Sequence, residues 1–147
     1  MNDVPMAGRF EGKTHLLPIR VYYEDTDFSG IVYHASYLRF MERGRTDFLR
    51  LAGIAQGMLW DSDDPCAFVV HKMALEFLKP ARVDDALTVR TAFSAKGALR
   101  LIAHQSILRG QEILVRASVE VVAIDAKGRP RRASERLRAA LQPFINP

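Results

Sequence analysis

One long helical pattern stands in a chain that otherwise alternates, and this imbalance limits the folds open to it. Between residues 32 and 52, Tyr37, Phe40, Met41, Phe48, Leu51 and Ala52 recur at spacings of three and four. On a helix of 3.6 residues per turn that spacing makes one apolar face. Glu42, Arg43, Arg45, Asp47 and Arg50 lie largely elsewhere. The pattern predicts a helix from Val32 or Tyr33 to Leu51, with Gly53 as its stop. Gly44 interrupts the pattern at a cost of about 1 kcal/mol against alanine. A close approach of the helix backbone to a sheet accounts for it.

The rest of the chain reads mainly as strands. Residues 15–23 place Ile19, Val21 and Tyr23 on one face, with Pro18 marking an edge or an entry. After an irregular stretch at 54–65, residues 67–77, 86–93, 99–108 and 113–125 are strand-like. They are separated by turns at 79–85, 94–97 and 109–111, and 126–128 closes the last. Residues 132–141 are expected as a short C-terminal helix. One amphipathic helix cannot cover both faces of such a sheet. The predicted class is therefore α+β, a curved antiparallel sheet wrapped around one long central α-helix. Residues 1–14 are expected to be a flexible arm, 15–141 a single domain and 142–147 a tail. Open edges on long strands favour pairing between subunits, so a homo-oligomer is expected.

The 147 residues suffice for one core, and the lone cysteine, Cys66, excludes an intrachain disulfide. No apolar run reaches signal-peptide or membrane-span length, which gives an expectation of a cytoplasmic protein with no integral membrane segment. The formal charge is +4. Much of the excess sits in Lys127, Arg129, Arg131, Arg132, Arg136 and Arg138. On charge alone this cluster is as readily a solvated tail as a site for nucleic acid, anionic lipid or a phosphorylated ligand.

The chemistry is expected where the first strand meets the helix, in Tyr23-Glu24-Asp25-Thr26-Asp27-Phe28-Ser29-Gly30-Ile31-Val32-Tyr33-His34-Ala35-Ser36-Tyr37. A helix start offers unpaired N–H groups and a positive dipole end. A carbonyl polarised there lies within reach of a carboxylate that attacks it or activates water. Asp27 and Ser29 are equally suited to capping the helix or forming the turn. Asp25 reads as structural and Glu24 as solvated.

This run closely resembles the signature of the hotdog-fold acyl-CoA thioesterases. These include 4-hydroxybenzoyl-CoA thioesterase and, more closely, the Tol–Pal-associated thioesterases. The resemblance extends from about His15 to Leu141. It implies a hotdog fold and hydrolysis of an acyl-CoA to free acid and CoA. The resemblance makes the second aspartate of the motif, here Asp27, the expected catalytic carboxylate. The helix N-terminus presents a backbone N–H to the thioester carbonyl at the position of His34. Gly30, Tyr33 and Tyr37 fall on the substrate-binding side. The resemblance also implies coenzyme A bound at a subunit interface, with basic residues near the third and fourth strands. Lys96 and Arg100 lie in that region. The basic cluster of the 4-hydroxybenzoyl branch is replaced here by Gly97, Ala98 and Leu99, which removes the support for an aromatic substrate. The expected assembly is a dimer or a dimer of dimers.

No histidine pair has metal-site spacing, and neither metal nor separate cofactor is expected, since coenzyme A is part of the substrate. Cys66 lacks a histidine partner, and the serines lack a nucleophile elbow. Two rival readings keep the fold. One is a thioesterase acting on acyl carrier protein, whose acidic surface suits the basic C-terminal cluster. The other is a non-catalytic acyl-CoA-binding protein, which has no need of Asp27. Nucleic acid is not an expected partner, because no aromatic platform interleaves the arginines.

Overall fold

The central helix, α1, runs His34–Leu51 and ends where Gly53 turns the chain with φ of 89°. The computed structural model describes residues 3–147. Around α1 lie seven strands: β1 (Arg9–Glu11), β2 (Thr14–Arg20), β3 (Ala67–Phe77), β4 (Ala86–Lys96), β5 (Arg100–Arg109), β6 (Glu112–Ile124) and β7 (Ile145–Asn146). They form one sheet in the order β1-β2-β4-β5-β6-β3, with β7 added in parallel against β4. Every other pairing is antiparallel.

The helix buries Tyr37, Phe40, Met41, Gly44 and Phe48, the expected face, whereas Leu51 is exposed. Its first half packs with Val21, Val32, Leu87, Val89 and Ile107. Its second half packs with Phe93, Ala103, Val119, Leu137 and Leu141. Gly44 lies where these halves meet the middle of the sheet. A Cβ there would stand 2.8 Å from Val89 Cγ1, 3.0 Å from Thr91 Oγ1 and 3.3 Å from Gln105 Nε2. The close approach read from the sequence is therefore present. Gln105 is buried beneath it and donates to Met41 O at 2.9 Å and to Thr91 Oγ1 at 2.9 Å, which satisfies a helix carbonyl from the sheet.

Several boundaries differ from expectation. The first strand ends at Arg20, and Tyr23–Asp25 is a 3-10 turn that leaves Tyr23 exposed. The β4–β5 hairpin is longer than expected. Residues 94–96 continue the ladder, with Lys96 opposite Arg100, and only 97–99 turn. The stretch 54–65 contains a short helix, α2 (Gln56–Trp60), whose five residues are too few to show a period. The C-terminal helix, α3 (Glu135–Leu141), starts later than expected, where Ser134 Oγ accepts from Leu137 N at 3.2 Å.

Both terminal segments are corrected over the described residues. In the arm, β1 pairs with β2, and Phe10 packs edge-on to Phe48 at 4.9 Å between ring centroids. The Gly8 amide donates to Asp47 at 2.8 Å. For Met1 and Asn2 the expectation lies outside the described residues. The expected tail is also ordered into the fold, as a 3-10 turn (Gln142–Phe144) followed by β7. In both cases one aromatic residue, Phe10 or Phe144, joins the cluster around Phe48. Neither segment has the periodicity that would reveal this in sequence.

The edge strand β3 leaves one side unpaired, with Val69, Val70 and Phe77 each more than a third exposed.

Candidate active site

The turn before α1 is built from its own backbone. Asp25 Oδ2 accepts from Tyr22 N at 2.8 Å, and Asp25 O accepts from Tyr33 N at 2.9 Å. Asp25 is thus structural, as read from the sequence. Thr26 and Val32 form an antiparallel bridge, Asp27 N donates to Ile31 O at 2.8 Å, and Gly30 N donates to Asp27 O at 3.1 Å. Gly30 has φ of 84°, which an L-residue adopts only with strain, so glycine suits the reversal. The result is a small hairpin with Asp27 near its tip and Phe28 fully exposed.

Asp27 caps no helix. Its Oδ1 accepts from Ser29 Oγ at 2.6 Å and from Ser29 N at 2.8 Å. The Ser29 hydroxyl, followed by the Ser29 amide, holds the carboxyl below its ordinary pKa. The group is therefore a carboxylate at neutral pH. Ser29, the other candidate cap, is occupied with Asp27 rather than with α1. The N-cap position is taken by Tyr33, whose side chain makes no capping bond. The helix starts at His34 with its first-turn amides uncapped by any side chain, the arrangement that polarises an oxyanion.

The His34 ring is exposed, 4.5 Å from Tyr33 and 6.3 Å from Phe77 between centroids. Beside it lies an open depression of about 260 Å³ lined by Ile31, Val32, His34, Tyr37, Phe77 and Pro80. Tyr33 is half-exposed and stands against the His34 ring. Tyr37 is buried, and its hydroxyl accepts from Ala81 N at 3.0 Å. Asp27, Gly30, Tyr33, His34 and Tyr37 therefore stand together in one region.

Lys96 and Arg100 do not join them within one chain. They flank the β4–β5 hairpin, about 30 Å along β4 from the end nearest Asp27. Both face Glu120 of β6, at 2.7 Å from Lys96 Nζ and 3.6 Å from Arg100 Nη1. The Lys96 hydrogen bond is the main cause that holds Glu120 below its ordinary pKa. Arg100 also lines a cleft of about 550 Å³, together with Lys13, Arg132, Arg138, Leu101 and Leu141. In the sequence Arg132 and Arg138 belong to a basic cluster with no evident direction. Their convergence with Lys13 and Arg100 depends on the docking of α3 and the C-terminus. Among the described residues, no three His, Cys, Asp or Glu side chains gather as a metal-ligand set. Among the described residues, no helix is long and apolar enough to cross a membrane.

The thioesterase-like superfamily profile matches residues 21–143, which include the turn, α1, the long antiparallel strands β3 to β6 and α3. The chain belongs to that superfamily. An acyl-CoA thioesterase, YbgC, of Haemophilus influenzae is 41% identical over 108 residues, covering 74% of this chain and 79% of that protein. An acyl-CoA thioester hydrolase, YbgC, of Escherichia coli O6:H1 is 44% identical over 116 residues, covering 78% and 85%. A solved structure of a probable thioesterase from Bartonella henselae superposes with a TM-score of 0.79 at 43% identity, covering 82% of this chain and 99% of that one. The sheet and helix described above are thus those of a hotdog-fold thioesterase.

Proposed function

We propose that this protein hydrolyses acyl-CoA to a free acid and CoA, with Asp27 as the reacting carboxylate and the His34 amide as oxyanion donor. The superfamily makes the chain a thioester hydrolase, and the relatives named above carry acyl-CoA in their names. The observation that carries the residue assignment is the pairing of two features. Ser29 holds Asp27 as a carboxylate, and the same short hairpin leads directly into an uncapped helix N-terminus.

The chemistry asks little more of the protein. A thioester carbonyl is electrophilic, and a thiolate leaves readily. In one route Asp27 takes a proton from water as the water oxygen bonds to the carbonyl carbon. The charge that develops on the carbonyl oxygen meets the His34 amide. Collapse then breaks the C–S bond and releases CoA. In the other route Asp27 itself bonds to the carbon, CoA leaves, and water cleaves the mixed anhydride. Both need the same ionised carboxylate.

Lys96 and Arg100 lie too far along β4 to reach a substrate at Asp27 of their own chain. We assign the coenzyme A phosphates to the cleft edged by Arg100, Arg132 and Arg138, presented to the reacting site by a second subunit. The exposed β3 edge supports such a homo-oligomer. A cytoplasmic location fits a coenzyme A substrate. The basic cleft also favours the acyl-carrier-protein reading, since a carrier with an acidic face would suit it.

The deciding experiment compares the parent with Asp27→Asn on acyl-CoAs from short aliphatic to aromatic, and on acyl carrier protein and acyl-pantetheine. Loss of turnover in the variant with CoA binding retained supports the assignment. Parental turnover in the variant refutes it. Arg132→Ala with Arg138→Ala should raise KM for acyl-CoA and leave acyl-pantetheine unaffected. A parent that turns over only the carrier-bound substrate transfers the reading to the carrier.

A further inference from the structure

The Asp27 hairpin does not stand alone. It is stitched to residues 79–85, the strap that joins β3 to β4. Val32 N donates to Ala81 O at 2.8 Å, and Ile31 forms an antiparallel bridge with Arg82. The strap is held in turn from two other elements. From α1, the buried Tyr37 hydroxyl accepts from Ala81 N at 3.0 Å. From β5, Arg109 Nη1 donates to Asp85 Oδ2 at 2.9 Å and to Pro80 O at 3.3 Å, gripping both ends of the strap. Asp85 Oδ2 also accepts from Arg82 N at 2.9 Å. Arg109 Nη2 is itself fixed by Glu112 at 2.6 Å, and Glu112 by Lys79 at 2.7 Å.

These bonds form a continuous path from β5 to the reacting carboxylate. Ala81 is its centre, because its carbonyl holds Val32 while its amide is held by Tyr37. Tyr37 lies one turn along α1 from His34, so the helix that offers the oxyanion amide also sets the strap. Ile31, bridged to the strap, accepts from Asp27 N at 2.8 Å. We propose that Tyr37 and Arg109 are positioning residues that lock the 79–85 strap and thereby fix Asp27 relative to the N-terminus of α1. The proposal rests on the assignment of Asp27 and His34 given above. It adds a positioning role, exerted through the strap, for Arg109 and for Tyr37, which also lines the depression beside His34.

The positioning is demanding because a displacement of about 1 Å between reacting groups costs about 10²-fold in rate. Tyr37→Phe keeps the packed ring and deletes the acceptor, which leaves the buried Ala81 amide without a partner. Arg109→Lys keeps the charge but loses the fork that spans Pro80, Asp85 and Glu112. Arg109 is partly exposed and lies outside the core, so its variant tests the idea even if Tyr37→Phe folds poorly.

The test measures kcat and KM for an acyl-CoA, amide hydrogen exchange at Val32 and global thermal stability in Tyr37→Phe, Arg109→Lys and Asp27→Asn. The expected result is a fall in kcat of about 10-fold or more in the first two, with KM within about twofold. Val32 exchange should be faster in both, while amides in the middle of β5 keep their protection. Folded variants with parental kcat would overturn the proposal. So would a fall in kcat without faster Val32 exchange, since the strap would then not be the route. If Asp27→Asn retained parental turnover, the underlying site assignment would fail, which the first two variants alone would not reveal.

Discussion

The Ser29 hydroxyl stands 2.6 Å from Asp27 Oδ1 and donates to it, two residues along the same turn. This contact is the main cause that holds the Asp27 carboxyl below its ordinary pKa. Removing the hydroxyl should let that pKa rise. Activity that needs the carboxylate would then fade at a higher pH on the acid side. In Ser29→Ala the acid limb of kcat/KM is expected to move upward, and Ser29→Thr should restore it. A pH profile of the three proteins checks this, and superimposed acid limbs would count against the contact.

The oxyanion role proposed for His34 rests on its backbone amide, and the fold allows that N–H to be removed. His34 is the first residue of α1, a position where proline is favoured. Tyr33 before it has φ of −64° and ψ of 134°, a conformation compatible with a following proline. His34→Pro should therefore fold while losing the N–H. Its kcat is expected to fall about 10²-fold to 10³-fold. His34→Ala keeps the amide and should retain most of the parental kcat. Circular dichroism and steady-state kinetics on both variants decide the point.

Gly44→Ala should destabilise the protein although alanine is the better helix former. Helix propensity alone favours the change by about 1 kcal/mol. Against it, the new methyl would stand 2.8 Å from Val89 Cγ1, in the fully buried middle of β4. Overpacking of a dense core costs about 1–3 kcal/mol. A net loss of about 1 kcal/mol is expected from denaturant unfolding, and a gain in stability would mean that the sheet yields more easily than its packing indicates.

His15 and Asp47 should make stability depend on pH. His15 Nε2 lies 2.7 Å from Asp47 Oδ2, the ring is fully buried, and Nδ1 has no partner among the described residues. A neutral ring that donates from Nε2 fits this environment, whereas protonation would strand a second N–H. Burial pulls the His15 pKa below its ordinary value, against the raising effect of Asp47. The unfolded chain thus takes up the proton at higher pH than the folded one. Stability is full above the ordinary histidine pKa and falls as pH drops through it towards the lower folded value. Melting temperature should decline across that window, by about 4 °C for each 1 kcal/mol lost. In His15→Gln the decline should be shallower, and parallel curves would exclude this ring as the cause.

How much of this is readable along the chain depends on the range of the interactions. The face of α1, the alternation in β4 to β6, the Gly53 stop and the structural role of Asp25 are local consequences of period, turn chemistry and sequence proximity. The same holds for the motif from Tyr23 to Tyr37, because the hairpin that carries Asp27 closes on itself within a few residues. The partner of Asp27 has no such local signal. Ser29 is equally good as a helix cap, and only the backbone path of the turn aims its hydroxyl at the carboxylate instead.

Other features had no local signal. Phe10 and Phe144 stand at opposite ends of the chain and meet over Phe48, so the two ends looked free in sequence. Arg109 belongs to what reads as a plain β5–β6 turn, yet its guanidinium bonds Pro80 of the strap, 29 residues earlier. The sequence by itself determined one amphipathic helix, a set of antiparallel strands and an acidic turn leading into the helix, because each follows from residues close in the chain. Tertiary structure alone decided how near Gly44 comes to the sheet, which basic residues share a cleft, and what holds Ala81 between Tyr37 and Val32. Those relationships depend on distances between segments far apart in the chain, and only the packing of the sheet around α1 sets them.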